Sequence, residues 1–156
     1  MELQDIGPDI NLDVVTINKF PLPPSANALY SNLGRRRIKS KAYRDYLNEV
    51  RLWMLMNQRQ LHDARRISMN TTPFNFIHID CRFYMLRTSI FTKDNKPKRN
   101  DTSNRIKALH DALSVILGID DSYFWSGSFD KLAVDHETQQ GVEITMVISR
   151  YEEPRK

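Results

Sequence analysis

The chain has little of what several protein classes require. Cys81 is its only cysteine among 156 residues, so no intramolecular disulfide can form and a cysteine-based zinc site is not expected. A reducing cytoplasm is the expected compartment. Positions 1–9 lack a basic start followed by an apolar run, so no secretory signal is read there. The mean hydropathy of −0.53 excludes a chain dominated by membrane segments. The 5 glycines are scattered and Gly34 is isolated, which argues against a phosphate-cradling NTPase or dinucleotide loop. His62, His78, His110 and His136 show no metal-ligand spacing, and no nucleophile elbow supports Ser/His/Asp chemistry.

What is present suits one folded domain. The length can bury a continuous core, and 40% hydrophobic with 10% aromatic residues fit a globule. The expected division is an extension over 1–12, a domain over 13–150 and a frayed tail over 151–156. A net charge of +4 and an isoelectric point near 9.3 are compatible with nucleic-acid binding. Arg35, Arg36, Arg37, Lys39 and Lys41 form one basic cluster; Lys93, Lys96, Lys98, Arg99, Arg105 and Lys107 form another.

The β-branched and aromatic run Val14 to Phe20 predicts a strand ended by Pro21, Pro23 and Pro24. Residues 21–39 read as a long functional loop carrying Tyr30 and the arginine triplet. Ser40 caps a helix reaching about Leu61, with Tyr43, Tyr46, Leu47, Val50, Trp53 and Met54 on one stripe. After a polar stretch over 63–75, alternation from Ile77 to Met85 gives the clearest strand. A second helix starts near Asp101 or Thr102 and stops at Gly118. Its apolar stripe leaves Asn104, Lys107, Asp111 and Ser114 facing away. Strands Phe129 to Val134 and Val142 to Ser149 are expected to form a hairpin around Gly141. The order strand, helix, strand, helix, strand, strand predicts a single α+β domain, with two helices packed on a small mixed sheet.

The segment from Lys98 and Arg99 through Asp101, Asn104, Lys107 and Asp111 to Asp120 and Asp121 concentrates the chemistry. Hard oxygen ligands hold Mg²⁺ or Mn²⁺ while cations hold a polyanion, the mixture that phosphodiester hydrolysis needs. Singly, each residue has a plain explanation. Helix capping accounts for Asp101, an Asx turn for Asp120 and Asp121, and an i,i+4 pair for Lys107 with Asp111. The arginine triplet beside Tyr30 makes a phosphate-contact surface, and Trp125 either stacks on a base or packs in the core.

Together, Pro23-Pro24-Ser25-x-Asn27-x-x-Tyr30, Asp101-x-x-Asn104-x-x-Lys107-x-x-x-Asp111-Ala112-Leu113 and Gly118-x-Asp120-Asp121 resemble the RusA family of Holliday-junction resolvases, in family order. The resemblance implies a homodimeric, Mg²⁺- or Mn²⁺-dependent endonuclease that nicks four-way DNA junctions symmetrically. It implies catalytic roles for Asp101, Lys107 and Asp121, with Asp101, Asp121, Asp120 and Asp111 as metal candidates. Tyr30, Arg35, Arg36, Arg37, Lys39, Lys98, Arg99 and Asn104 are the expected DNA contacts. The family motif reads Asp-x-Asp-Asn-x-x-Lys, and its second aspartate falls on Ser103, a hydroxyl without negative charge. A non-catalytic branched-DNA-binding protein and an RNA-binding α+β protein are the competing readings. A helix of roughly 16 residues spans about 24 Å, so Asp101 and Asp121 are expected at its opposite ends, with a site shared between protomers as one solution.

Overall fold

The computed structural model describes residues 14–25, 28–69, 75–99, 103–150 and 153–155; the expected N-terminal extension and half of the expected tail lie outside them. The expected strand forms as β1, Val14–Phe20, burying Ile17 and Phe20. Residues 21–39 are not a plain loop: they contain a two-stranded hairpin, β2 (Tyr30–Leu33) and β3 (Arg36–Lys39), with Gly34 and Arg35 at its turn. Every residue of both strands is exposed, which is why no buried-face alternation announces them.

Ser40 does cap α1, Lys41–Met56, its hydroxyl accepting the Tyr43 N–H at 3.1 Å. The helix then breaks at Asn57, whose backbone N–H and side-chain amide both donate to the Trp53 carbonyl. A separate α2, Gln58–Met69, follows at once. The expected polar stretch after about Leu61 is therefore partly helical. Leu61, Ala64 and Ile67, three apart, provide a narrow buried stripe in an otherwise polar segment.

β4, Asn75–Leu86, alternates as expected and runs through the centre of a four-stranded sheet ordered β1-β6-β4-β5. The short α3 (Arg87–Ile90) and then α4 (Ser103–Leu117) lead to β5, Phe124–Val134. β5 pairs parallel to β4, so this connection has to cross over, and α4 is the crossover helix. β6, Gly141–Arg150, lies antiparallel between β1 and β4. The hairpin expected between the last two strands does not form, because β4 separates β5 from β6. A one-turn helix, Glu137–Gln139, occupies the connection instead.

One core joins the layers. Ile77, Ile79, Cys81, Phe83 and Met85 of β4, with Ile144 and Met146 of β6, meet Leu109, Ala112, Leu113 and Ile116 of α4. The Arg65 Nε donates to the Ile116 carbonyl at 3.0 Å and ties α2 to the end of α4. The architecture is α+β, with a mixed four-stranded sheet, a small two-stranded sheet and four helices among the described residues. No helix among them is long and apolar enough to cross a membrane.

The opposite face of the sheet is open and polar. There the His78 imidazole contacts the Ser126 hydroxyl at 2.7 Å and Asp80 at 2.9 Å, while Ser128 donates to Asp80 at 2.5 Å. The network stitches β5 to β4 and gives His78 the structural role that strand placement implies.

Candidate active site

The polar side of α4 supplies the site. Burial of Leu109, Ala112, Leu113 and Ile116 fixes the helix rotation, which turns Lys107 outward and leaves Asn104, His110 and Asp111 half-buried. Lys107 Nζ lies 3.7 Å from Asp111 Oδ2, the expected i,i+4 pair. At the far end Gly118 adopts φ +67, a left-handed stop that only glycine takes without strain. The Gly118 and Ile119 N–H groups both donate to the Ser114 carbonyl, and the Ser114 hydroxyl donates back to the Ile119 carbonyl.

This stop reverses the chain. The Asp120 carboxylate accepts the Ser122 N–H at 2.9 Å and caps a one-turn helix, Asp121–Tyr123. Hydrogen bonding to Ser122, from its side chain first and its backbone second, holds the exposed Asp120 carboxyl below its ordinary pKa, so Asp120 performs the Asx-turn function alongside any ligand role. Phe124 then meets the His110 ring edge-on at 5.1 Å. Asp121, Asp111 and Lys107 all act electrostatically on His110. Burial is the largest influence and lowers the His110 pKa, Lys107 adds to that lowering, and the two aspartates oppose it.

Asp121 thus acts on His110, a residue in the middle of α4. His110 lies 7 residues after Ser103, about 10 Å along the axis at 1.5 Å per residue. Asp101 itself lies outside the described residues, and Ser103 is the first residue of α4. His110 was not singled out by the sequence. Its place between Lys107 and Asp111 was visible, but its coupling to Asp121 exists only after the reversal at Gly118.

The basic hairpin approaches the same face. Tyr30 and Tyr43 meet edge-to-face at 5.9 Å, Arg37 lies over the Tyr30 ring at 4.4 Å, and Lys39 Nζ lies 5.6 Å from the Tyr43 ring centre. Lys39, Tyr43 and Asp111 line one cleft of about 260 Å³ between α1 and α4. Burial raises the Tyr43 pKa, and the negative charge of Asp111 raises it further. Arg35, Arg36, Arg37 and Lys39 are all exposed. Arg105 in the first turn of α4 donates from Nη1 to the Pro23 carbonyl at 2.5 Å, fastening the proline segment to the site helix.

Lys98 and Arg99 lie on the exposed loop before α4; the Lys98 Nζ donates to the Thr88 carbonyl at 2.6 Å. Trp125 is not a core residue: it is 57% exposed and stacks on Phe76 at 3.5 Å. Among the described residues no three His, Cys, Asp or Glu side chains converge into a metal-binding group. Asp111 and Asp121, which both act on His110, are the hard oxygen type that suits Mg²⁺ or Mn²⁺ held largely through water.

The fold and this face define a small mixed-sheet α+β domain, with a lysine-and-carboxylate helix beside an arginine-rich arm. Its family follows from the sequence match: residues 21–146 fit the family model described as endodeoxyribonuclease RusA, and the chain belongs to the RusA endodeoxyribonuclease family. No curated protein matches the chain. A solved structure of 2C-methyl-D-erythritol 2,4-cyclodiphosphate synthase from Plasmodium vivax is 14% identical, with 90% of this chain and 97% of that one covered and a TM-score of 0.30. That likeness is too low to inform either fold or function.

Proposed function

We propose that the protein is a Mg²⁺- or Mn²⁺-dependent endodeoxyribonuclease that acts as a homodimer and resolves four-way DNA junctions by symmetric nicking. The observation that carries this reading is the Lys107–Asp111 pair on the polar side of α4, with His110 between them under the influence of Asp121, inside the segment matched to the nuclease family. Asp101 and Asp121 would hold the ion, with Asp111 and Asp120 as neighbouring acids. When bound, such an ion activates water and neutralises charge developing on the phosphate.

The chain's own residues do the rest. Lys107 contacts the scissile phosphate, and its pairing with Asp111 keeps the ammonium on the site face. The lowered pKa of His110 favours the neutral imidazole, a group able to exchange a hydrogen bond with water or a phosphate oxygen. Tyr30, Arg35, Arg36, Arg37, Lys39, Lys98, Arg99 and Asn104 grip flanking backbone, a sequence-blind and salt-sensitive contact.

The test is incubation with a synthetic four-way junction and a linear duplex, with and without Mg²⁺ or Mn²⁺. Cation-dependent paired nicks in the junction are expected, reduced about 10²-fold or more in Asp101→Asn or Asp121→Asn, on the scale of losing a positioned catalytic group. A site shared across a two-fold dimer predicts that mixing those two variants recovers activity at one of the two sites, and no recovery argues against sharing. Ser103, where the family carries aspartate, favours the second reading of a non-catalytic junction-binding protein. An inert wild type with every divalent cation, still binding junctions, would establish that reading.

A further inference from the structure

Among the described residues, two buried side-chain polar atoms lack a hydrogen-bond partner, the Tyr46 hydroxyl and Arg105 Nε. Arg105 is already held through Nη1 by the Pro23 carbonyl, whereas the phenol of Tyr46 is held by nothing. Tyr46 belongs to the buried stripe of α1 formed by Tyr43, Tyr46, Val50 and Trp53, and it is only 3% exposed. Burial, then Tyr43, Glu49 and Asp111 in turn, push its pKa above the ordinary tyrosine value, so the group stays an O–H donor. A buried donor without an acceptor costs stability, and such an orphan calls for an acceptor that the free protein does not present. Of the two carboxylates that act on it, Glu49 is exposed and lies on the same helix. Asp111 alone comes from another element. It is half-buried and lines the cleft between α1 and α4 together with Tyr43, Leu47 and Val50, the α1 residues on either side of Tyr46. In the free protein Asp111 is engaged by Lys107, but loosely: 3.7 Å separate the charged atoms and the lysine side chain is 65% exposed. An exposed i,i+4 pair of this length is weak and easily given up.

We propose that Tyr46 is a positioning residue for Asp111: when the Lys107 ammonium turns to a phosphate, the Tyr46 hydroxyl donates to the Asp111 carboxylate in its place. This rests on the phosphate contact proposed above for Lys107 and goes further by naming what holds Asp111 once that lysine has left. The carboxylate exchanges a loose, exposed partner for a buried one. A hydrogen bond from a phenol to an ionised acceptor is of the stronger, charge-assisted kind, and forming it ends the cost of the orphaned hydroxyl. The acid therefore stays fixed in the cleft wall while the lysine is engaged, which a solvent-exposed ion pair alone cannot ensure. Tyr43 cannot stand in without leaving its own contacts, since its ring packs against Tyr30 and lies under Lys39.

Urea unfolding of the full chain without DNA tests the exchange. With Lys107 in place, Tyr46→Phe removes no hydrogen bond, so the midpoint should equal or exceed that of the wild type. Lys107→Met takes the cation from Asp111 permanently; the phenol is then engaged, and adding Tyr46→Phe should lower the midpoint. Tyr43→Phe is the control and should act alike in both backgrounds. A second arm measures binding of a synthetic four-way junction without divalent cations. Tyr46→Phe should weaken it about 10-fold, the scale of one hydrogen bond to a charged group, and should add no further loss to Asp111→Ala, as expected for two residues that act through one contact. A midpoint lowered by Tyr46→Phe with Lys107 present would show that the phenol already has its partner, and would overturn the proposal. So would equal midpoints in the Lys107→Met background, a response confined to Tyr43→Phe, or junction affinity indifferent to Tyr46→Phe. The stability arm uses no DNA. A protein that leaves junctions unbound or uncut therefore removes the proposed function while the midpoints still decide the bond, and an active nuclease without coupling between positions 46 and 111 removes the exchange alone.

Discussion

At Gly127 a methyl group would sit 2.1 Å from the Ile79 carbonyl oxygen, and backbone is all it would meet. The cause lies two residues earlier: the β4–β5 register shifts between Ile77 and His78, leaving Trp125 as an extra residue in β5 and pressing the following backbone onto β4. Gly127→Ala should therefore destabilise the protein by about 1–3 kcal/mol, the range for forced overpacking. A lowered urea midpoint at unchanged slope would record it, whereas a wild-type midpoint would show that the strands can part without cost. Nothing in the sequence marks this glycine, since its obstacle is 48 positions away. Ser40 and Gly118 were legible because a cap and a left-handed stop are set by their immediate neighbours. The Lys107–Asp111 pair was legible for the same reason. The influence of Asp121 on His110 was not, because it depends on where a reversed chain arrives.

Among the elements, β1, β4 and α4 could be read closely, each having one buried face whose period shows in the sequence. The β2–β3 hairpin has no buried face, and its arginines looked like a loop. α2 was hidden by its polarity. The pairing of β5 parallel to β4, rather than with β6, is a property of the sheet and leaves no mark within either strand. The hairpin carries a prediction of its own. Changing Arg35, Arg36 and Arg37 together to glutamine should weaken junction and duplex binding alike, since phosphate contacts do not read sequence. The slope of log affinity against log salt should fall by about 2–3 units if all three touch phosphate. An unchanged slope would remove the arm from the interface. Stability should barely change, because the three side chains are exposed.

For the whole molecule, the sheet order places β6 and β4 inside and β1 and β5 at the margins. Ile79, Phe83, Ile144 and Met146, at most 2% exposed, lie on the two inner strands. Opening these strands requires breaking the core, while the hairpin can open alone. Native-state hydrogen exchange should accordingly be slowest for the central amides of β4 and β6 and fastest for β2 and β3. Hairpin amides as protected as those of β4 would contradict the division. In the proposed function, separating a rigid centre from an independently opening arm would let the arm adapt to DNA while the site helix stays fixed.

α4 has a consequence for how this protein can change over generations. The same 15 residues fill the core on one side and present the site on the other. Adding or deleting one residue turns everything beyond it by about 100°, driving Lys107 or Asp111 toward apolar neighbours and Leu109 or Leu113 into water. The helix should thus accept exchanges of residue type but no change of length. The turn at Gly34 and Arg35 touches no core and can lengthen freely, so new substrate preferences have room to arise on the arm while the spacing of the acids stays frozen.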